Sequence, residues 1–65
     1  MIFYVIKCRQ GGDASIARRA SATEALRVIE QASGQGWTLA EIRRDRLMID
    51  EVALWQDAER EMVEA

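Results

Sequence analysis

The 65-residue sequence predicts an α+β fold in ββαββα order. A small antiparallel sheet of order 2-1-3-4 packs on one main helix, and an amphipathic helix follows at the C-terminus. Three observations carry this reading. Ile2 to Arg9 (IFYVIKCR) is dense in β-branched and aromatic residues and runs into Gly11-Gly12. Ser21-Ala22-Thr23-Glu24 has the form of a capping box, and apolar residues follow it at helical spacing. Trp37 to Ile49 offers a second strand pair, with Asp50 placed to cap a further amphipathic run.

In the first strand, Ile2, Tyr4, Ile6 and Cys8 share one face, and Phe3, Val5, Lys7 and Arg9 share the other. The first set is the core side; the second begins apolar and turns charged. Gln10-Gly11-Gly12-Asp13 is a turn, because adjacent glycines accept positive φ without steric cost. Ala14 to Ala20 returns as the second strand. A two-residue turn pairs Cys8 with Ser15, and a three-residue loop pairs it with Ile16. Slipping by one residue exchanges the faces of every side chain. The longer loop is favoured here because it buries Ile16 and Ala20 beside the core face.

The helix spans 22–33. Ala22, Ala25, Leu26, Ile29 and Ala32, flanked by Val28, form its apolar stripe, and Gly34 is the expected stop. Strands follow over 37–43 and 46–49, joined by a turn at Arg44-Asp45. The last helix covers 51–63, with Val52, Leu54, Trp55, Ala58, Met62 and Val63 as its stripe. The crossover from strand two through the helix to strand three is expected to be right-handed. With strand three beside strand one, the most apolar strand lies inside the sheet. Phe3 and Val5 then need cover from the last helix or from another copy of the chain.

Residues 1–65 form a single small domain, whose core is small and whose stability is marginal. One cysteine and no histidine exclude an internal disulfide and a Cys/His zinc site, which leaves self-association as the expected support. The N-terminal apolar run stops at Lys7 without the pattern of a signal peptide, and no stretch fits a membrane span. The lone thiol suits a reducing, cytoplasmic setting. Eight arginines against one lysine, with abundant alanine, hint at a GC-rich bacterial genome. Residues 1–46 carry eight basic and five acidic side chains, a balance of +3, and residues 47–65 carry one and six, a balance of −5.

Arg18-Arg19-Ala20-Ser21 matches a basic-directed kinase site, but a serine capping a helix has its oxygen occupied; the match reads as a cap. Arg18, Arg19, Arg43, Arg44 and Arg46 are candidate phosphate contacts for a nucleic-acid-binding alternative. The acidic net charge, the few strand aromatics and the separation of the two arginine groups toward opposite edges weigh against it, and edge protection against aggregation accounts for them better. Cys8 reads as a small buried hydrophobe, since nothing near it in sequence activates a thiol. Asp57, Glu59, Glu61 and Glu64 read as the solvated face of the last helix. Trp37 and Trp55 read as core or interface residues. No catalytic residue, cofactor site or metal site is expected.

The hairpin followed by SATEALRVIEQA is similar to the N-terminal part of HicB-type antitoxins, whose helix often begins with a Thr-x-Glu-Ala pattern. The likeness covers less than half of the chain, rests on generic helix-cap residues and comes without a C-terminal DNA-binding motif, so no family is assigned. The expectation is a non-catalytic interaction module, a homo-oligomer or partner-binding protein. Phe3, Val5, Trp55 and Met62 are its candidate interface residues.

Overall fold

The computed structural model describes residues 2–64, with side chains through Val63. The elements run β1 (Tyr4–Gln10), β2 (Asp13–Arg19), α1 (Ala22–Gly34), β3 (Thr38–Arg44), β4 (Leu47–Ile49) and α2 (Glu51–Glu64). The sheet is antiparallel with order β2-β1-β3-β4, so α1 crosses over β1 to join the two strands that flank it. Fold class and strand order are those the sequence predicts.

The hairpin register differs from the favoured one. Gln10 pairs with Asp13 and Cys8 with Ser15, so the connection is the two-residue Gly11-Gly12 turn. Only Gly11 takes positive φ, at 60°, the pattern of a type II′ turn, whose twist matches that of the strands. Ile16 therefore pairs with Lys7 on the far face of the sheet and is 68% exposed, while Ala17 lies beside Ile6. The chain accepts an exposed isoleucine because the tighter turn closes the ladder fully.

Between β1 and β3 the register slips by one. Lys7 pairs with Glu41 but Cys8 pairs with Leu39, which leaves Ala40 as the extra residue of a β-bulge. The bulge resets the alternation along β3. Leu39 and Ile42, three residues apart, both reach the core side, whereas a regular strand would put them on opposite faces.

The core side of the sheet carries Tyr4, Ile6, Cys8 and Ile42. Ala22 and Ala25 of α1 and Leu54 and Ala58 of α2 close over them. Ser21 caps α1 by accepting the Glu24 amide at 3.2 Å, as the capping box predicts, but among the described residues no bond returns from Glu24. The stop is Gly36, not Gly34. With φ 87° it lets the Gly36 amide reach the Ser33 carbonyl and the Trp37 amide reach the Ala32 carbonyl, a Schellman motif. Asp50 caps α2 as expected, its carboxylate accepting from the Ala53 amide at 2.8 Å.

Both helices lie on the same side of the sheet. Of the two covers the sequence allows for Phe3 and Val5, the chain's own α2 is thus excluded. Its buried face is set by Leu54, Asp57 and Ala58, and Asp57 ties it to the core-side residues Tyr4 and Arg44. The opposite face of the sheet is open.

Candidate functional site

Three regions carry chemistry: a polar clamp on the core side, the open sheet face, and the outer stripe of α2.

The clamp starts from helical spacing. Leu54, Asp57, Ala58 and Glu61 fall at i, i+3, i+4 and i+7, so two carboxylates share the buried face with two apolar anchors. Asp57, 7% exposed, accepts the Tyr4 hydroxyl at 2.9 Å and an Arg44 guanidinium nitrogen at 2.7 Å. Burial alone would raise the Asp57 carboxyl, but the bonds from Arg44 and Tyr4 outweigh it and hold it below the usual carboxylate range. Burial, with the bond to Asp57, pushes the Tyr4 hydroxyl up to about 12. Both shifts lead away from neutrality, and the bonds tie α2 to the sheet. Glu61 accepts the amides of Ala22 and Thr23 at 2.6 and 3.1 Å and the Thr23 hydroxyl at 2.9 Å. Its burial would raise the carboxyl too, yet the two amides and the Thr23 hydroxyl together lower it. The solvated-face reading of Asp57 and Glu61 is therefore corrected: both are tertiary contacts. Glu59 is exposed, and the Glu64 side chain lies outside the described residues.

On the open face, Phe3, Val5, Ile16 and Met48 form an apolar area, with Lys7, Arg18, Glu41 and Arg43 among and beside them. Asp45, at φ 55° in the β3–β4 turn, fixes one end. Its amide donates to the Phe3 carbonyl at 2.8 Å, and its carboxylate accepts the Phe3 amide at 3.1 Å. The Arg18 guanidinium lies over the Phe3 ring, 4.0 Å from its centroid. Arg43 is held by Glu41 at 2.7 Å. A shallow trough of about 410 Å³ on this face is lined by Phe3, Val5 and Lys7 with Ile16, Glu41, Arg43 and Asp45.

The two arginine groups lie toward opposite edges, as the sequence reading has it, with Arg18 and Arg19 on edge strand β2 and Arg43, Arg44 and Arg46 on β3 and the turn to β4, but only β1 stands between them. Arg18 and Arg43 both pair with Val5 and so stand on the open face in one row. Arg19 and Arg44 pair with Tyr4 and face the helices, where Arg44 is bound to Asp57. Arg46 is exposed in the turn. The candidate interface residues also separate. Phe3 and Val5 lie half-buried on the open face, while Trp55 and Met62 are exposed on α2 with Val52 and Val63. The sequence reading buries Trp55; in the single chain it is 57% exposed.

Cys8 is buried, and burial raises its thiol. Among the described residues, every buried side-chain polar atom has a hydrogen-bond partner, no group of three or more His, Cys, Asp or Glu is placed to hold a metal ion, and no helix is long and apolar enough to cross a membrane. No protein-family model, curated protein or solved structure matches the chain.

Proposed function

We propose that this chain is a non-catalytic interaction module that self-associates, using the open face of its sheet. The observation that carries the reading is the uncovered apolar area of Phe3, Val5, Ile16 and Met48 on a domain whose helices both lie on the other side. A domain this small buries only about 60% of its unfolded surface, and covering one more sheet face adds stability that its own chain does not supply. Sedimentation or light scattering across micromolar concentrations tests it. Association that weakens in the double variant Ile16→Glu/Met48→Glu supports the reading. A strictly monomeric wild-type chain overturns it.

A second reading is favoured by one observation. Arg18 and Arg43 flank Val5 on the open face with Lys7 beside them, an arrangement suited to a phosphate backbone. It predicts retention on single-stranded DNA that falls steeply with salt and is lost in Arg18→Ala/Arg43→Ala. Absence of retention at about 50 mM salt, where surface charge acts most strongly, rules against it. The acidic α2, the net charge of −2 and the ties of Arg18 to Phe3 and Arg43 to Glu41 favour the first reading.

A further inference from the structure

We infer that the open sheet face of one copy receives the outer stripe of α2 from another, so that the chain associates head to tail. The inference rests on the self-association reading and names what covers the face. Two apolar surfaces are left bare, and one copy cannot satisfy both. Asp57 and Glu61 hold α2 on the core side of the sheet, facing away from Phe3 and Val5. The outer stripe, with Val52, Trp55 and Met62 between 57% and 75% exposed, points outward from that layer.

Charge selects the pairing. On the open face Lys7, Arg9, Arg18 and Arg43 outnumber Glu41 and Asp45, while Glu51 and Glu59 accompany the outer stripe of α2. Sheet against sheet across a two-fold axis would press cations on cations. Helix against helix would bring the Glu59 side chains together. Helix on sheet sets acid against base and avoids the like-charge contacts that suppress wrong pairings. Dimensions agree as well. The 14 residues of α2 span roughly 21 Å at the helical rise, and the seven residues of β1 span roughly 23 Å at the strand rise. Trp55 supplies a large ring to lie among Arg18, Arg43 and Val5, where cation–π contact adds to burial. A helix on the open face turns a two-layer domain into a three-layer one. Because the open face and α2 lie on opposite sides of the sheet, two copies cannot exchange the contact reciprocally, so it is heterologous: it closes into a ring or grows as a filament.

Complementation tests it. Ile16→Glu/Met48→Glu disables the sheet side and Trp55→Lys disables the helix side, all at exposed positions; circular dichroism and cooperative melting check that each variant folds, with serine in place of the charged residues as the second set. Expected is a wild-type mean mass that climbs past two chains with concentration, each variant alone at one chain mass, and their equimolar mixture at two chain masses and no more. Wild-type association left intact by Trp55→Lys overturns the head-to-tail contact while self-association through the sheet stands. Association left intact by Ile16→Glu/Met48→Glu overturns both. A wild-type monomer at about 200 μM, well above the range of a specific contact, overturns both as well, and salt-sensitive retention of that monomer on single-stranded DNA assigns the face to nucleic acid instead.

Discussion

Glu61 accepts the amide of Ala22, 39 positions earlier, at 2.6 Å, so the last helix supplies part of the N-terminal cap of the first. Helix α1 begins with amides that have no intrahelical acceptor. Ser21 takes the amide of Glu24, and Glu61 takes those of Ala22 and Thr23. Capping, a local matter in most helices, is here a tertiary contact.

Replacing Glu61 with alanine is expected to lower stability by about 1–2 kcal/mol, and Ser21→Ala by about 1 kcal/mol. Glu61→Gln, which keeps the shape but not the charge, should fall between wild type and alanine. Urea midpoints measure all three. A midpoint unmoved by Glu61→Ala contradicts the shared cap.

Asp57→Ala leaves the Tyr4 hydroxyl and Arg44 without their partner. The Arg44 side chain is nearly one-third exposed and recovers part of its loss from water. The expected cost is therefore about 2–3 kcal/mol, below that of a fully buried pair. Tyr4→Phe removes one neutral donor and should cost about 1 kcal/mol. A 65-residue domain holds on the order of 3–10 kcal/mol, so Asp57→Ala should melt far below wild type. Thermal unfolding followed by circular dichroism decides, and equal effects of the two substitutions would contradict the place of Arg44 in the clamp.

The pH dependence has two limbs of known sign. Asp57 and Glu61 have folded pKa values below their unfolded ones, near 4, so their stabilisation is complete above that range. It is lost as pH falls through the folded values. Tyr4 shifts the other way. Its contribution is complete below about 10, the unfolded value, and disappears as pH rises through about 12. Urea midpoints across acid pH check the first limb, which should flatten in Asp57→Asn. Near-ultraviolet titration of Tyr4, the one tyrosine, checks the second; a midpoint near 10 in the folded chain would contradict its burial together with its hydrogen bond to Asp57.

Trp55 should report association. In the isolated chain it is exposed, so iodide should quench it at nanomolar concentration, and shielding should grow as concentration rises into the micromolar range. Trp37, half-buried, supplies a steady background that Trp37→Phe removes. Quenching of Trp55 that does not change with concentration would contradict the docking of α2 on another copy.

Deleting residues 51–65 removes Leu54, Asp57, Ala58 and Glu61 together, baring the core side of the sheet and two amides of α1. The truncated chain is expected to aggregate or to lose cooperative unfolding. A soluble product with a sharp melting transition would show α2 to be dispensable.

The elements and the start of α1 were legible because each rests on local chemistry: the glycine pair, the Ser21 cap and the 3.6-residue period of Ala22 to Ala32. Strand order followed from placing the most apolar strand inside. The stop of α1 was not legible, since Gly34 and Gly36 both suit a helix end and only the bonds to Ala32 and Ser33 choose between them. The hairpin register was not, since burying Ile16 and closing a tight turn favour different pairings and burial alone does not weigh the turn. The clamp was hidden for a related reason. Asp57 and Glu61 were read by their charge, although both lie at the spacing of Leu54 and Ala58 that marks the buried face. Position on the wheel, read before residue type, points to them. The gathering of Arg18 and Arg43 around Val5 depends on the register and could not be drawn without it.

The extra residue at Ala40 makes the length of β3 a matter of parity. Upstream of it Trp37 and Leu39 belong inside, and downstream Ile42 and Arg44 do, so odd and even positions exchange meaning at a single alanine. Losing Ala40 would trim the bulge and nothing more: Leu39, now two places from Ile42, would still stand opposite Cys8 on the core side of a regular ladder. Losing Glu41 as well would break the alternation and turn Leu39 and Trp37 toward solvent. In a Trp55→Phe background a chain lacking Ala40 alone is expected to keep the Trp37 emission, and one lacking Ala40 and Glu41 to show it red-shifted.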